Sequence, residues 1–160
     1  VGLDLKEVLD ALKSPVGNLS TITRFADRKI RSMVSSPTIT VGSDRLSDDA
    51  TQLGRVLGKL GSNVEKLLRR YQEDIVDRQY QLQRVAEVAT EIYVSVAVLR
   101  RLDAILSGPG EIDQECEDAV ATGRYYLLTA NRRMQQNLID LWSNDDQEAT
   151  QLADRMLAKH

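Results

Sequence analysis

The 160-residue sequence predicts an all-α protein, an antiparallel helical bundle of three long helices plus shorter terminal helices. Three observations carry this. Apolar residues recur at spacings of three and four through three long stretches, the signature of helices with one buried side. Aromatic residues make up 4% of the chain while Leu, Ala, Arg, Glu and Gln abound, a mixture that loses little rotamer freedom in a helix. Strong turn signals are confined to a few short segments, so the connections are short and neighbouring helices antiparallel.

The elements follow in order. Leu5, Val8, Leu9 and Leu12 place a short helix over Leu3 to Lys13, stopped by Pro15 and Gly17. A second pattern opens at Asn18, with Leu19, Ile22, Phe25, Ala26, Ile30, Met33 and Val34 on one side and Arg24, Arg28, Lys29 and Arg31 on the other. Ser35, Ser36, Pro37, Thr38, Gly42 and Ser43 form a turn-rich linker, which divides the chain into connecting helices over 1–43 and a bundle over 44–160.

Ser47 reads as an N-cap with Asp48 and Asp49 behind it, opening a long helix through Ala50, Leu53, Leu57, Leu60, Val64, Leu67, Leu68 and Tyr71. Gly54, Gly58 and Gly61 each cost that helix about 1 kcal/mol relative to Ala, so close approach of a neighbouring backbone is the expected compensation, with local fraying the alternative. A break is expected near Gln72 to Val76. The next apolar pattern carries Ile75, Leu82, Val85, Ala89, Ile92, Tyr93, Val96, Leu99, Leu102 and Leu106 and ends at Gly108-Pro109-Gly110. Its apolar run Ile92 to Leu99 is far too short to span a bilayer and is expected to be buried. Ile112, Cys116, Ala119, Gly123, Leu127, Ala130, Met134, Leu138 and Leu141 define the third long helix. Asn144 and Gln147 resemble a capping box opening a last helix with Leu152, Ala153, Met156 and Leu157 inside.

Few residue sets suit catalysis. The sequence has no glycine-rich strand-to-helix turn for a flavin or nucleotide, and so no cofactor-binding, catalytic or metal residues are assigned. His160 is the single histidine, which excludes the Glu-x-x-His pairs of ferritin-like metal bundles. A bundle with acidic metal sites would need repeated acidic motifs on facing helices, and no such repeat is found. Glu111, Asp113, Glu115, Glu117 and Asp118 read as a solvated first turn favoured by the helix dipole. Cys116, the one cysteine, reads as a buried inert thiol, and Trp142 as a core or interface anchor. The net charge of -3 argues against nucleic acid as a partner, and the pairs Arg69-Arg70, Arg100-Arg101 and Arg132-Arg133 read as solvated helix faces.

Residues 18–34 form the one stretch with an informative asymmetry. Leu19, Ile22 and Phe25 opposite Arg24, Arg28, Lys29 and Arg31 suit a helix lying on an anionic membrane surface. A helix packed on the rest of the protein that happens to be basic has the same pattern. The N-terminus lacks the basic, apolar and small-residue order of a signal peptide, and the chain opens inside an amphipathic pattern, as expected of a domain cut from a longer protein.

Several ordered stretches resemble the C-terminal extension of the very-long-chain acyl-CoA dehydrogenases and their mitochondrial complex I assembly paralogue. Ala11-Leu12-Lys13-Ser14-Pro15-Val16-Gly17-Asn18 resembles the family's Ala-Leu-Lys-Asn-Pro-Phe-Gly-Asn. Gln79 to Ala86 and Glu91 to Arg101 are similar to the family's Gln-Phe-Leu-Leu-Gln-Arg-Leu-Ala and Asp-Leu-Tyr-Ala-Met-Val-Val-Val-Leu-Ser-Arg. Gly54-Arg55-Val56 with Val64 to Leu68 is similar to the paralogue's preceding helix. The likeness is strongest from Gly54 to Leu106.

The resemblance implies a non-catalytic domain of an FAD-dependent enzyme that oxidises long acyl-CoA thioesters in fatty-acid β-oxidation, with the catalytic glutamate and the flavin site upstream of Val1. It implies packing on the parent chain's own catalytic domain, a homodimer in place of a tetramer, and a membrane-associating segment where residues 18–34 lie. Its implied location is the mitochondrial matrix, peripheral to the inner membrane, or a bacterial cytoplasm. A free-standing helical adapter that binds an assembly factor is the alternative.

Overall fold

The computed structural model describes residues 37–158. The expected helices Leu3 to Lys13 and Asn18 to Val34 lie outside the described residues. The observed order is a 3₁₀ turn Asp44–Leu46, helix α1 Ser47–Tyr71, a 3₁₀ segment Gln72–Asp77, and helices α2 Gln79–Leu106, α3 Gln114–Asp140 and α4 Asp146–Leu157. There is no strand among the described residues, and α1, α2 and α3 pack mutually as an antiparallel three-helix bundle. The all-helical expectation holds.

The core is an interhelix column. Leu46, Ala50, Leu53, Val56, Leu60 and Leu67 meet Val88, Ile92, Leu99 and Leu102 of α2 and Val120, Leu127, Ala130, Met134, Leu138 and Leu141 of α3 and its end. Removing apolar area from water at about 25 cal/mol per Å² makes this column the main source of stability. Ile39 and Val41 of the linker pack half-buried against it.

Charged side chains lock the seams. Arg45 Nη1 and Nη2 donate to the two oxygens of Glu117 at 2.8 Å each, tying the entry of α1 to α3. Arg124 donates to Asp49 at 3.0 Å on the same seam. Between α2 and α3, Arg133 donates two bonds of 3.0 Å to Glu91, which also accepts from the Tyr126 hydroxyl at 3.2 Å.

The structure departs from the sequence reading in several places. Ser47 is no N-cap: the chain winds into α1 through the 3₁₀ turn, where Leu46 N–H donates to the Ser43 carbonyl at 3.1 Å. Helix α3 begins at Gln114, not Ile112, because the Asp113 carboxylate accepts from Cys116 N–H at 2.8 Å and caps it there. Ile112 and Ala119 are exposed, and Val120 takes the core position expected for Ala119. Within Ile92 to Leu99, Ile92, Ser95 and Leu99 are buried while Tyr93, Val94 and Ala97 face solvent.

Helix α4 does not enter the core, where the sequence pattern predicts it. Leu152, Met156 and Leu157 are 59%, 62% and 75% exposed, and none of its residues is buried. The helix leaves the bundle after Leu141. In place of a capping box, Asn144 accepts from Asp146 N–H at 3.2 Å and donates to the Asp140 carbonyl at 2.7 Å, a local turn that redirects the chain.

Candidate interaction surface

The bundle positions two apolar faces where solvent meets them. The first is the outward side of α2. Leu82, Ala86, Ala89, Thr90, Tyr93 and Ala97 follow one another at helical spacing, all exposed, with no charged residue among them. Tyr93 is 78% exposed. Helical periodicity puts such residues on one side, and the alanines leave it smooth enough for another backbone to come close. Isolated exposed apolar residues are ordinary, whereas a contiguous set marks an interaction surface. The opposite sides of α2 are occupied: Arg84, Glu87 and Glu91 bond to α4 and α3, and Val88, Ile92 and Leu99 fill the core. The second face is the exposed side of α4.

The glycine stripe of α1 faces inward. Gly54, Gly58 and Gly61 are all buried, and a Cβ on Gly54 would lie 2.6 Å from the Pro37 carbonyl oxygen. Close backbone approach, not fraying, therefore accounts for Gly54. Beside it a shallow cavity of about 270 Å³ opens between Pro37, Thr38 and Ile39 of the linker and Ala50, Thr51 and Arg55 of α1.

Cys116 is half-buried, not fully buried, and the Asp113 carboxylate beside it pushes its thiol up, away from the reactive thiolate. Asp113 and Glu117 leave the acidic first turn for specific partners: Cys116 N–H holds the Asp113 carboxyl below its ordinary range, and Arg45 does the same for Glu117. Trp142 is a surface pin whose indole N–H donates to Asn63 at 2.6 Å, with the Arg70 guanidinium 5.8 Å above the ring. Arg70 and Arg78 also bracket the Tyr71 ring at 5.5 and 4.7 Å. Arg70 and Arg133 are thus structural, and Arg100, Arg101 and Arg132 remain solvated. Burial, then Glu91, pushes the Tyr126 hydroxyl up.

Membrane candidates Leu19, Ile22, Arg24, Phe25, Arg28, Lys29 and Arg31 lie outside the described residues. Among the described residues the interhelix cavity beside Ser95, Leu127 and Met134 holds about 10 Å³, the size of one water, and no helix start presents a glycine-rich phosphate cradle. Among the described residues no helix is long and apolar enough to cross a membrane. Sequence periodicity missed the two exposed faces, since it records that a residue is apolar at helical spacing and not what covers it.

A family model described as ACAD9/ACADV, C-terminal domain, matches residues 44–160. "Very long-chain specific acyl-CoA dehydrogenase, mitochondrial" of Rattus norvegicus is 26% identical over 151 residues, 92% of this chain and 23% of that protein. The Bos taurus protein of the same description gives the same identity and coverage. The Homo sapiens protein is 29% identical over 110 residues, 66% of this chain and 17% of its own. The chain thus spans less than a quarter of the length of these curated relatives.

Proposed function

The chain belongs to the ACAD9/ACADV C-terminal domain family, and from that membership we propose that it is the non-catalytic C-terminal domain of an FAD-dependent acyl-CoA dehydrogenase acting in fatty-acid β-oxidation. Its role in that enzyme is architectural. The outward face of α2, from Leu82 to Ala97, covers the parent chain's own catalytic domain and leaves the enzyme a homodimer. The observation that carries this reading is that face itself: six consecutive helix-spaced positions without a charge, on the helix that already meets both α1 and α3. FAD and the acyl-CoA substrate are held elsewhere in the longer protein, whose chemistry no residue of this chain is asked to perform. The mitochondrial description of the relatives supports a mitochondrial setting.

The test uses the full-length natural protein. It should carry bound yellow flavin and oxidise long acyl-CoA thioesters. Ala89→Glu with Tyr93→Lys should undock the domain from the catalytic domain, read as faster limited proteolysis between the two, and let the homodimer associate further. A natural protein of only this length and without flavin overturns the reading, and so does a full-length protein indifferent to both substitutions.

Residues 18–34 carry the second part of the proposal, docking on an anionic membrane surface, supported by the sequence opposition of Leu19, Ile22 and Phe25 to Arg24, Arg28, Lys29 and Arg31. Co-sedimentation with anionic liposomes should fall at high salt and disappear when the four basic residues become Gln. Absence of binding at low salt removes this part and leaves the architectural one standing.

A further inference from the structure

The glycine stripe of α1 is turned in, but not toward the leucine core. Gly54, Gly58 and Gly61 lie roughly 110° round the helix from the line of Leu53, Leu60 and Leu67 that fills the bundle. All three are buried nonetheless. Glu65 continues the stripe one turn on. Its side chain is 20% exposed, while the Arg69 side chain bonded to it is 70% exposed, a partner too open to account for that burial. A helix side lined with glycine admits another chain at close range.

The chain meets this stripe at its first glycine. Gly42 N–H donates at 2.9 Å to Asp103, near the C-terminal end of α2. Five residues earlier the Pro37 carbonyl oxygen sits on Gly54, 2.6 Å from where a Cβ would stand. Followed backward, the linker thus climbs α1 from its start toward its C-terminal end. The next glycines in that direction are Gly58 and Gly61, roughly 6 and 10.5 Å further along the axis.

We propose that residues 18–34 dock as a helix along this stripe, antiparallel to α1, with Ile22, Ala26 and Ile30 against Gly58 and Gly61. The lengths agree: as a helix the segment is roughly 25 Å long, and α1 from Gly54 to its end at Tyr71 is roughly 25 Å as well. Ala26, four residues from both Ile22 and Ile30, keeps the middle of the apolar side small, which suits close approach to glycine. The tether decides the occupant. A segment that ends three residues before Pro37 is held near the stripe at an effective concentration of order millimolar, which a separate partner would have to exceed. Leu19, Ile22 and Phe25 are also the residues a membrane would take, so α1 and lipid compete for one side of the segment. The docking does not rest on the membrane reading, and the contact with α1 stands if lipid binding fails.

Hydrogen exchange on the full 160-residue chain without lipid tests it. Amides of residues 19–33 should be protected roughly tenfold or more over an unfolded chain, and Gly58→Leu with Gly61→Leu should remove that protection. Ile22→Asp with Ile30→Asp, which leaves α1 unaltered, should do the same while the amides of α1, α2 and α3 keep theirs. A nitroxide on Arg28→Cys, in a chain carrying Cys116→Ser, should broaden the Gly58, Gly61 and Ser62 amides more than any in α4. Residues 19–33 unprotected without lipid overturn the proposal. Protection indifferent to either pair of substitutions overturns it too, as does broadening centred on α4 or on Ala89 and Tyr93 of α2. Protection lost in both variants, with no liposome binding by the unaltered chain, supports the docking and removes the membrane reading.

Discussion

Arg84 of α2 and Asp146, the first residue of α4, form two parallel N–H···O bonds of 2.6 Å each, with side chains only 18% and 14% exposed. The guanidinium fork fits a carboxylate in two places at once, so the pair fixes the direction in which α4 departs as well as its position. Arg84 also holds the Asp146 carboxyl below its ordinary range.

Arg84→Met should therefore release α4 while leaving the bundle folded. No residue of α4 is buried, so the loss falls on local order. Hydrogen exchange should show α4 amides losing protection, with global stability changed by no more than about 1–2 kcal/mol. A collapse of the whole transition would mean that α4 belongs to the cooperative core, contrary to its exposure.

Four carboxyls predict how the domain responds to acid. Backbone N–H groups of Gly42 and Ser43 hold Asp103 below its ordinary value, Cys116 N–H holds Asp113, Arg45 holds Glu117 and Arg84 holds Asp146. A depressed folded-state value means that the unfolded chain binds more protons in acid, so stability rises with pH across that window. The contribution is complete above the ordinary values, 3.8 for Asp and 4.5 for Glu, and is lost as pH falls through the folded values. Tm should be level from pH 7 to about 5.5 and fall below about pH 5. Asp103→Asn and Glu117→Gln should lower Tm at pH 7 and matter less near pH 3, where the unfolded chain has taken up its protons. Equal effects at both pH values would contradict the assignment.

Gly54 was legible in the sequence because a glycine in mid-helix is a cost that packing must offset, and the Pro37 carbonyl is that packing. Gly54→Ala gains about 1 kcal/mol of helix propensity. It also drives a methyl to 2.6 Å from a backbone oxygen that no rotamer change can move aside. The linker at Pro37 to Ile39 should detach, with a net destabilisation of about 1–2 kcal/mol by urea titration. Gly110→Ala, with nothing within 4 Å of its added methyl, is the control and should be neutral.

The same contrast explains what the sequence could and could not convey. Three long helices were readable because Ala50 to Leu67, Val88 to Leu102 and Val120 to Leu138 repeat at the period of the helix. The phase slipped in α3, where the expected stripe runs through Ile112 and Ala119 while the buried one runs through Val120; at 3.6 residues per turn a face drifts, and only the neighbour decides which of two adjacent apolar residues is inward. Leu152 and Met156 read as interior because an amphipathic helix looks alike whether its own core or another molecule covers it. Clamps such as Arg84–Asp146 and Arg45–Glu117 join residues 62 and 72 positions apart, and no local pattern encodes such a pairing.

Gln72 shows how a break can form without glycine or proline. The chain leaves α1 there at φ 48 and ψ -118, the single positive φ on a non-glycine residue among the described residues. These angles match the first central residue of a type II′ turn, where a Cβ is crowded and glycine is at ease. Gln72 is exposed, so its side chain offers little in return. Gln72→Gly exchanges that strain for a more flexible unfolded chain, and at such an angle relief of the strain outweighs the added chain entropy. Urea unfolding should show a stabilisation of about 1 kcal/mol with an unchanged m-value, while Gln72→Val should destabilise by a similar amount or more, because branching at Cβ adds to the same clash. If Gln72→Gly is instead destabilising, the positive φ is not the conformation that residue adopts in solution, and the corner between α1 and the 3₁₀ segment must be held by the Tyr71, Arg70 and Arg78 stack alone.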